Sequence, residues 1–285
     1  MTTARTRHVE HDGVALDVDL HPGPVPGSGA VLVLPGGGFR EHTGHDGTGY
    51  ARWLTTMGLG AVVLRYRLRP DPFPLAVQQA RAALGALQHS ALLPDVDPAR
   101  VGVIGSSAGG LLAGLLATGA TLSIEPPVDR PPRPAFQIQS YGLADLGLLP
   151  AGAVAALLGD AVHVAGELSP VTHVDASTAP TFVWATAQDG PGLPNALAWT
   201  RVLAEHAVPV ELHVYPEGGH GLGLADGVSY GGHGRLAVPH TAQWSRACRR
   251  WLTDRGVLGE HWRGAAGPAR RGGAGGTAAD AGRGG

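Results

Sequence analysis

Two adjacent serines stand at the end of a hydrophobic run in the segment ARVGVIGSSAGGLLAGLLATGA. Gly105 and Gly109 flank Ser107 at positions minus two and plus two, whereas no glycines have this spacing around Ser106. The pattern Gly-x-Ser-x-Gly is typical of a nucleophilic serine on a tight strand-to-helix turn, where neighbouring side chains must be small. A serine that only caps the following helix is the structural alternative. We predict that Ser107 is a nucleophile. Its hydroxyl would lie at the N-terminus of the following helix, where free N–H groups and the helix dipole favour developing negative charge.

Three consecutive glycines follow an earlier hydrophobic run in VLVLPGGGFREHTGHDG. Acyl transfer by a serine requires backbone N–H groups that bind the oxyanion formed during the reaction. We predict that Gly37 and Gly38 supply two such donors and that Ala108, next to the nucleophile, supplies a third. A flexible loop is the alternative in a chain with 45 glycines. The position of the loop, one strand crossover ahead of Ser107, favours an oxyanion hole.

A nucleophilic serine also needs a histidine base and an acid that orients it, in the chain order serine, acid, histidine. After Ser107, the run PTFVWATAQD ends at Asp189, and the later segment EGGHGLGL contains His220. Both residues follow predicted strands at their C-terminal ends, the edge where α/β sheets assemble their sites. Asp145 in SYGLAD is the competing acid, and His233 is the reserve histidine. The predicted triad is Ser107, Asp189 and His220.

The glycine-rich loop FREHTGHDG also brings His42, His45 and Asp46 close together in sequence. These residue types ligate metals, but the loop gives them no rigid ligand spacing. We expect them to line the mouth of a pocket or to be solvated, and we predict neither a metal nor a cofactor.

Strand-like and helical patterns alternate along the chain and position these residues. The predicted strands lie in GAVLVLP, GAVVLRYRL, DPARVGVIG, PAFQIQSYG, PTFVWATAQD and PVELHVYP. The predicted helices lie in GTGYARWLTTMGLG, PLAVQQARAALGALQHSALL, GLLAGLLATGA, NALAWTRVLAEHA and HTAQWSRACRRWLTD. Strands that are apolar on both faces and separated by helices predict an α/β fold with a doubly wound, mostly parallel sheet. The opening TRHVEHDGVALDVDLH predicts an antiparallel edge hairpin.

Length and composition indicate one large domain. With 285 residues, of which 44% are hydrophobic, the chain has enough apolar residues for a substantial core. We assign residues 1–262 to this domain. Residues 263–285 are rich in Gly, Ala and Arg and have little to bury, so we predict a disordered tail.

Charge and cysteine content exclude several classes of partner and compartment. A formal net charge of −2 does not provide the basic surface that nucleic-acid binding needs. The N-terminus lacks the apolar core of a signal peptide, and no stretch is long enough to cross a bilayer, so we expect a cytoplasmic protein without membrane contact. Cys248 has no other cysteine with which to form an internal disulfide. Its spacing with Trp244, Trp251 and Leu252 predicts the buried face of the last helix.

Five segments, in this order and at these separations, resemble the α/β-hydrolase serine esterases, especially the acetyl xylan esterase-like and lipase/esterase-like proteins: LPGGGF, VVLRYRL, GVIGSSAGG, ATAQDG and LHVYPEGGHGLGL. The resemblance covers about residues 30 to 255. It implies a cytoplasmic carboxylic ester hydrolase with Ser107 as nucleophile, Asp189 as acid and His220 as base, often acting on acetylated sugars. The chain departs from the pattern in two places, at Pro35, where many relatives have histidine, and at SYG, where the usual xylan-esterase-like proteins have YP.

We therefore predict a serine esterase that forms an acyl-enzyme on short-chain acyl esters such as acetylated sugars. The partner is then a small-molecule ester, and the oligomeric state, a homo-oligomer included, is left open. Two alternatives also stay open: a catalytically silent hydrolase fold that only binds, and a serine peptidase or amidase of the same fold. Trp53, Trp184 and Trp199 are candidates either for a sugar-stacking platform or for the core.

Overall fold

The hydrophobic runs form one eight-stranded sheet in a computed structural model that describes residues 5–23, 27–70, 72–230 and 237–258. In chain order the strands are β1 (Arg5–His11), β2 (Val14–His21), β3 (Ala30–Leu34), β4 (Gly60–Leu64), β5 (Val101–Ser106), β6 (Gln137–Ser140), β7 (Thr181–Thr186) and β8 (Val210–Tyr215). Across the sheet their order is β1-β2-β4-β3-β5-β6-β7-β8. Neighbours from β4 to β8 are parallel, whereas β2 is antiparallel to both β1 and β4. The predicted α/β class and the edge hairpin are confirmed.

The described residues contain six α-helices: α1 (Tyr50–Thr56), α2 (Leu75–Gln88), α3 (Ala108–Thr118), α4 (Ala151–Leu158), α5 (Gly192–Glu205) and α6 (Trp244–Asp254). All of them except α4 pack on a face of the sheet. Because successive strand residues point to opposite faces, β3 contributes to two separate cores. Leu32 and Leu34 pack in the cluster that contains α2 and α3, whereas Val31 and Val33 pack in the cluster that contains α1 and α6. The strands are apolar on both faces because both faces are covered.

The parallel strands end at a common edge of the sheet, and the loops that leave them meet there. β3 and β5 are central neighbours, with Leu34 aligned with Gly105. β6, β7 and β8 continue the parallel series, with Ser140 aligned with Trp184. The loops after β3, β5, β6, β7 and β8 therefore share the edge at which α/β proteins build their sites.

Two stretches differ from the sequence-based expectation. The strand predicted in GAVVLRYRL ends at Leu64, because the following chain leaves the sheet and Tyr66 turns into the core, where its ring contacts Phe39. The segment after β6 contains α4 and three short 3₁₀ helices, Leu146–Leu148, Gly159–Val164 and Pro170–His173, which were not predicted. These short turns lack the sustained hydrophobic period on which the helix predictions rest.

The tryptophans of the described residues and the single cysteine pack in or against the core. Trp184 and Trp199 are fully buried, and Trp53 packs edge-on against Trp244, so none of the three candidates forms a stacking platform. Cys248 is buried on α6, as predicted.

Among the described residues, no helix is both long enough and apolar enough to cross a membrane. The proposed domain end at residue 262 and the predicted tail lie outside the described residues. Both stay predictions.

Candidate active site

Ser107 occupies a sharp turn between β5 and α3. Its backbone has φ 50° and ψ −121°, a strained conformation for a residue with a side chain. A Cβ on Gly109 would lie 2.1 Å from the carbonyl oxygen of Leu34, and one on Gly105 would lie 2.4 Å from that of Gly109. The two glycines therefore allow α3 to pack directly on the strands, which is the physical reason for the Gly-x-Ser-x-Gly spacing.

The structure brings the three predicted triad residues together. Ser107 Oγ lies 2.7 Å from His220 Nε2, and His220 Nδ1 lies 2.9 Å from both carboxylate oxygens of Asp189. The Asp189 side chain is 2% exposed and that of His220 is 31% exposed, so the acid is shielded while the base faces the cavity. A continuous hydrogen-bonded path thus runs from a buried carboxylate through an imidazole to a hydroxyl.

The loops after β7 and β8 hold the acid and the base. Asp189 lies just before α5, and its Oδ1 accepts a 2.7 Å hydrogen bond from the backbone N–H of Gly192. The histidine loop, residues 216–223, follows β8 and carries His220. The Thr186 hydroxyl donates to the carbonyl oxygen of Gly218, which ties this loop to the end of β7. Asp189 and His220 are therefore held by loops that follow the neighbouring strands β7 and β8.

The alternative acid, Asp145, lies away from the triad. Asp145 caps the 3₁₀ helix Leu146–Leu148, where its Oδ1 accepts a 2.9 Å hydrogen bond from the N–H of Gly147. It lines a separate cavity formed around that helix and α4. His233 lies outside the described residues.

The oxyanion loop, residues 35–46, adopts a shape that requires glycine. Gly37 has φ 125° and Gly38 has φ 62°, and a Cβ on Gly37 would lie 2.1 Å from the carbonyl oxygen of Glu41. In the described part of the chain, no hydrogen bond is donated by the N–H groups of Gly37, Gly38 or Ala108. Gly37 and Gly38 line the cavity beside Ser107, while Ala108 is buried at the first position of α3.

The cavity at the triad has a volume of about 350 Å³ and is lined by glycines and polar side chains. Its walls are formed by the oxyanion loop, Ser107 and the histidine loop, with Gly37, Gly38, Arg40, Glu41, Thr43, His45, Asp46, Ser107, His220 and Gly221 as lining residues. His45 and Asp46 line the cavity as expected, although both are buried rather than solvated.

His42 lies apart from the cavity lining and has a role in packing. Its Nε2 is 3.0 Å from the carbonyl oxygen of Tyr66, and burial lowers the pKa of its imidazole. No group of three or more His, Cys, Asp or Glu side chains in the described ranges is arranged to hold a metal ion.

Tyr141 and Asp46 form a buried pair beneath the triad whose contacts the sequence did not predict. The Tyr141 hydroxyl donates to Asp46 Oδ1, and the Tyr141 ring packs edge-on against His220 with 5.3 Å between ring centroids. In the sequence, Asp46 was noted only as a polar residue of a glycine-rich loop. Tyr141 was noted only as part of the segment SYG, where the chain differs from the family pattern. The available signal for Tyr141 was its position directly after β6, at the same sheet edge as Ser107.

Comparison with known proteins finds similar sequences and structures, several of which are named as esterases. It is 24% identical over 235 residues to an acetylxylan esterase from Xylanibacter ruminicola, a match covering 79% of this chain and 47% of the esterase. The chain thus spans about half the length of that curated relative. A solved structure of an acetyl ester-xyloside bifunctional hydrolase from Caldicellulosiruptor lactoaceticus is similar with a TM-score of 0.73 and 28% identity, covering 87% of this chain and 91% of that one.

A carboxylesterase from Lactobacillus plantarum has the same fold, with a TM-score of 0.78 and 24% identity, covering 91% of this chain and all of that one. A family model described as alpha/beta hydrolase fold matches residues 31–224, which include most of β3, the turn at Ser107, Asp189 and His220. With this match and the sheet topology described above, the chain belongs to the alpha/beta hydrolase family.

Proposed function

We propose that this protein is a serine carboxylic ester hydrolase that uses Ser107, His220 and Asp189 as its catalytic triad. The observation that carries the proposal is the hydrogen-bonded path Ser107–His220–Asp189, with 2.7 Å and 2.9 Å between the interacting atoms, beside a cavity lined by Gly37 and Gly38. Nucleophile, base, orienting acid and oxyanion donors are the parts that acyl transfer to serine requires.

In the first half of the reaction, Ser107 Oγ forms a bond to the ester carbonyl carbon while His220 Nε2 accepts the hydroxyl proton. Asp189 holds the imidazole with its Nδ1 proton directed at the carboxylate and stabilises the imidazolium that forms. The negative charge on the carbonyl oxygen is stabilised by the N–H groups of Gly37, Gly38 and Ala108. His220 then donates its proton to the departing alcohol, and an acyl-enzyme remains.

In the second half, His220 accepts a proton from water as the water oxygen attacks the acyl carbonyl carbon. The tetrahedral intermediate collapses, the bond to Ser107 Oγ breaks, and Oγ regains its proton from His220. The carboxylic acid leaves and the free enzyme is restored. None of these steps uses a cofactor.

We propose short-chain acyl esters of polar alcohols, such as acetylated sugars, as substrates. The cavity volume of about 350 Å³ and the polar side chains around it support a small substrate with hydrogen-bonding groups. The names of an acetylxylan esterase and of an acetyl ester-xyloside bifunctional hydrolase among the similar proteins support the acetyl group. A cytoplasmic location remains a prediction from the sequence.

The test compares wild type, Ser107→Ala and Ser106→Ala on p-nitrophenyl acetate and on the matching p-nitroacetanilide. Ser106 is the matched control because it is the adjacent serine and its buried hydroxyl bonds to Tyr50 instead, at 3.3 Å. We expect Ser107→Ala to lower kcat on the ester by roughly 10⁴- to 10⁶-fold, as triad deletions do in serine hydrolases. Ser106→Ala should retain most of the activity.

Each other outcome contradicts a stated part of the proposal. Equal inactivity of wild type and both variants would favour a silent fold that only binds. Efficient cleavage of the anilide would favour an amidase, and undiminished activity of Ser107→Ala would show that another residue is the nucleophile.

A further inference from the structure

Asp46 is a buried carboxylate at the end of the oxyanion loop, and its two oxygens accept hydrogen bonds from three different groups. Its Oδ2 accepts from the Thr43 hydroxyl at 2.7 Å and from the Gly36 backbone N–H at 3.2 Å. Its Oδ1 accepts from the Tyr141 hydroxyl. Asp46 is 1% exposed. The carboxylate therefore fixes the first glycine of the oxyanion loop to the phenol of a residue from a different strand.

Tyr141 extends the same connection to the histidine loop. Its hydroxyl accepts a 2.9 Å hydrogen bond from the Gly223 backbone N–H while it donates to Asp46. Its ring lies against the His220 ring at an interplanar angle of 70°. Burial and the Asp46 charge raise the pKa of the Tyr141 phenol well above its usual value, so the hydroxyl keeps its proton as a donor.

Burial of the Asp46 carboxylate costs free energy. A buried carboxylate loses its hydration, and that loss must be offset by hydrogen bonds or an opposite charge. Among the ion pairs of the described residues, the contact of Asp46 is with His45 at 3.5 Å. The hydrogen bonds from Thr43, Gly36 and Tyr141 therefore provide the main compensation for the lost hydration.

We propose that the Asp46–Tyr141 pair is a positioning device that holds the oxyanion loop and the histidine loop at a set distance from Ser107. This inference rests on the proposed esterase function. The oxyanion donors and the base act on the same tetrahedral intermediate, so a relative displacement of the two loops lowers the rate even when each loop keeps its own shape. Tyr141 and Asp46 act through Gly36, Gly223 and His220, and neither takes or gives a proton in the reaction.

The central variant is Tyr141→Phe, which keeps the ring against His220 and removes only the hydroxyl. We expect kcat on p-nitrophenyl acetate to fall by about tenfold to hundredfold, because a small misplacement of reacting groups has effects of this size. KM should change by less than about twofold, since Tyr141 is not among the residues that line the cavity. The split between kcat and KM distinguishes positioning from a general loss of folded protein.

Tyr215→Phe is the matched control. Tyr215 is also buried, at 8% exposure, and it ends β8 just before the histidine loop. Its ring contacts Trp184 and His240, and no hydrogen bond of its hydroxyl is found among the described residues. We expect kcat and KM of this variant to equal those of wild type. Circular dichroism and the thermal midpoint are measured for every variant.

A double-mutant cycle with Asp46→Asn tests whether the two residues act as one unit. Asp46→Asn retains the side-chain shape and removes the charge, and its kcat should fall by a similar factor. If both residues act through their shared hydrogen bond, the double variant loses little more than either single variant. If Tyr141→Phe does not fold, Asp46→Asn alone tests the proposal, and the same fall in kcat is expected of it.

The outcomes separate this inference from the proposed function. A lowered kcat with unchanged KM and non-additive single effects supports positioning. A folded Tyr141→Phe with wild-type kcat overturns it and leaves the esterase intact, as does an equal loss in Tyr215→Phe. If wild type neither hydrolyses the ester nor is labelled at Ser107 by a fluorophosphonate, the esterase function fails and the inference fails with it.

Discussion

Two cavities of similar size lie in different parts of the molecule, and their linings are organised in opposite ways. The cavity at Ser107 measures about 350 Å³. The α2 cavity, formed by the β1–β2 turn, α2 and residues 125–132, is larger at about 450 Å³ and contains the buried pair Arg81 and Glu125. Size alone would favour the α2 cavity over the candidate active site. The two cavities differ in the partners of their polar side chains.

In the α2 cavity the two buried charges pair with each other, although Glu125 Oε2 has no hydrogen-bond partner among the described residues. Arg81 Nη1 donates to Glu125 Oε1 at 2.8 Å, and Arg81 Nη2 donates to the carbonyl oxygen of Ala120. At the other cavity, the Ser107 hydroxyl lies within hydrogen-bond distance of the His220 imidazole, which in turn contacts the Asp189 carboxylate. The backbone of Ser107 is strained. The first arrangement joins α2 to the chain after α3, and the second places the candidate nucleophile Ser107 at the cavity wall. Three changes test this contrast between a structural and a reactive buried network.

The largest expected effect separates the two candidate acids. Asp189→Asn should lower kcat on p-nitrophenyl acetate by roughly 10⁴-fold, because the amide no longer stabilises the imidazolium or selects the reactive tautomer. Asp145→Asn is the matched control, since that side chain only caps a 3₁₀ helix, and it should retain wild-type kcat. Steady-state kinetics of both variants provide the measurement. A large loss in Asp145→Asn with little in Asp189→Asn would contradict the assignment of the acid.

A smaller loss is expected from the oxyanion loop. Gly37→Ala places a Cβ 2.1 Å from the carbonyl oxygen of Glu41 at a residue with φ 125°, so the loop must shift. We expect kcat to fall by about 10²- to 10³-fold, the usual cost of a lost oxyanion donor. Gly152→Ala on α4 is the control, because its Cβ meets nothing within 4 Å. Wild-type kcat in a folded Gly37→Ala would show that this loop does not bind the oxyanion.

The smallest expected effect lies at the α2 cavity and concerns stability rather than catalysis. Arg81→Met leaves Glu125 buried without its ion-pair partner and should lower the free energy of unfolding by about 3 kcal/mol near neutral pH. The activity per folded molecule should not change. Urea unfolding and kinetics on the same preparation measure both quantities. A fall in kcat in fully folded Arg81→Met would show that the two cavities are coupled.

The pH dependence of that loss follows from Glu125. Burial raises the pKa of its carboxyl, and the Arg81 charge opposes part of this shift. For a raised carboxyl pKa, stability is highest below the unfolded-state pKa and falls as pH rises through the folded-state pKa. Without Arg81 the carboxyl pKa rises further, so the loss in Arg81→Met should be larger near pH 7 than near pH 4. A loss that grows towards low pH would contradict this account.

The sheet, the main helices and Ser107 were predicted because their signals are local. Residues that are apolar on both faces of β3 and β5 indicate buried parallel strands, and the glycines that Ser107 needs are two positions away on either side. The α4 region carried no comparable period and was missed. The acid was harder, because Asp145 and Asp189 both follow a strand. Their difference is set by what each carboxylate contacts, namely a local N–H for Asp145 and the distant His220 for Asp189.

The α/β class, the candidate nucleophile and the glycine loop were therefore predictable, since each depends on residues within a few positions of one another. The contact between His220 and Asp189, and that between Tyr141 and Asp46, 95 residues earlier in the chain, became evident in the folded molecule. The physical reason is the strand order. With β5 inserted between β3 and β6, the loops after these three strands meet at one sheet edge, and no periodicity along the chain encodes which of their side chains touch.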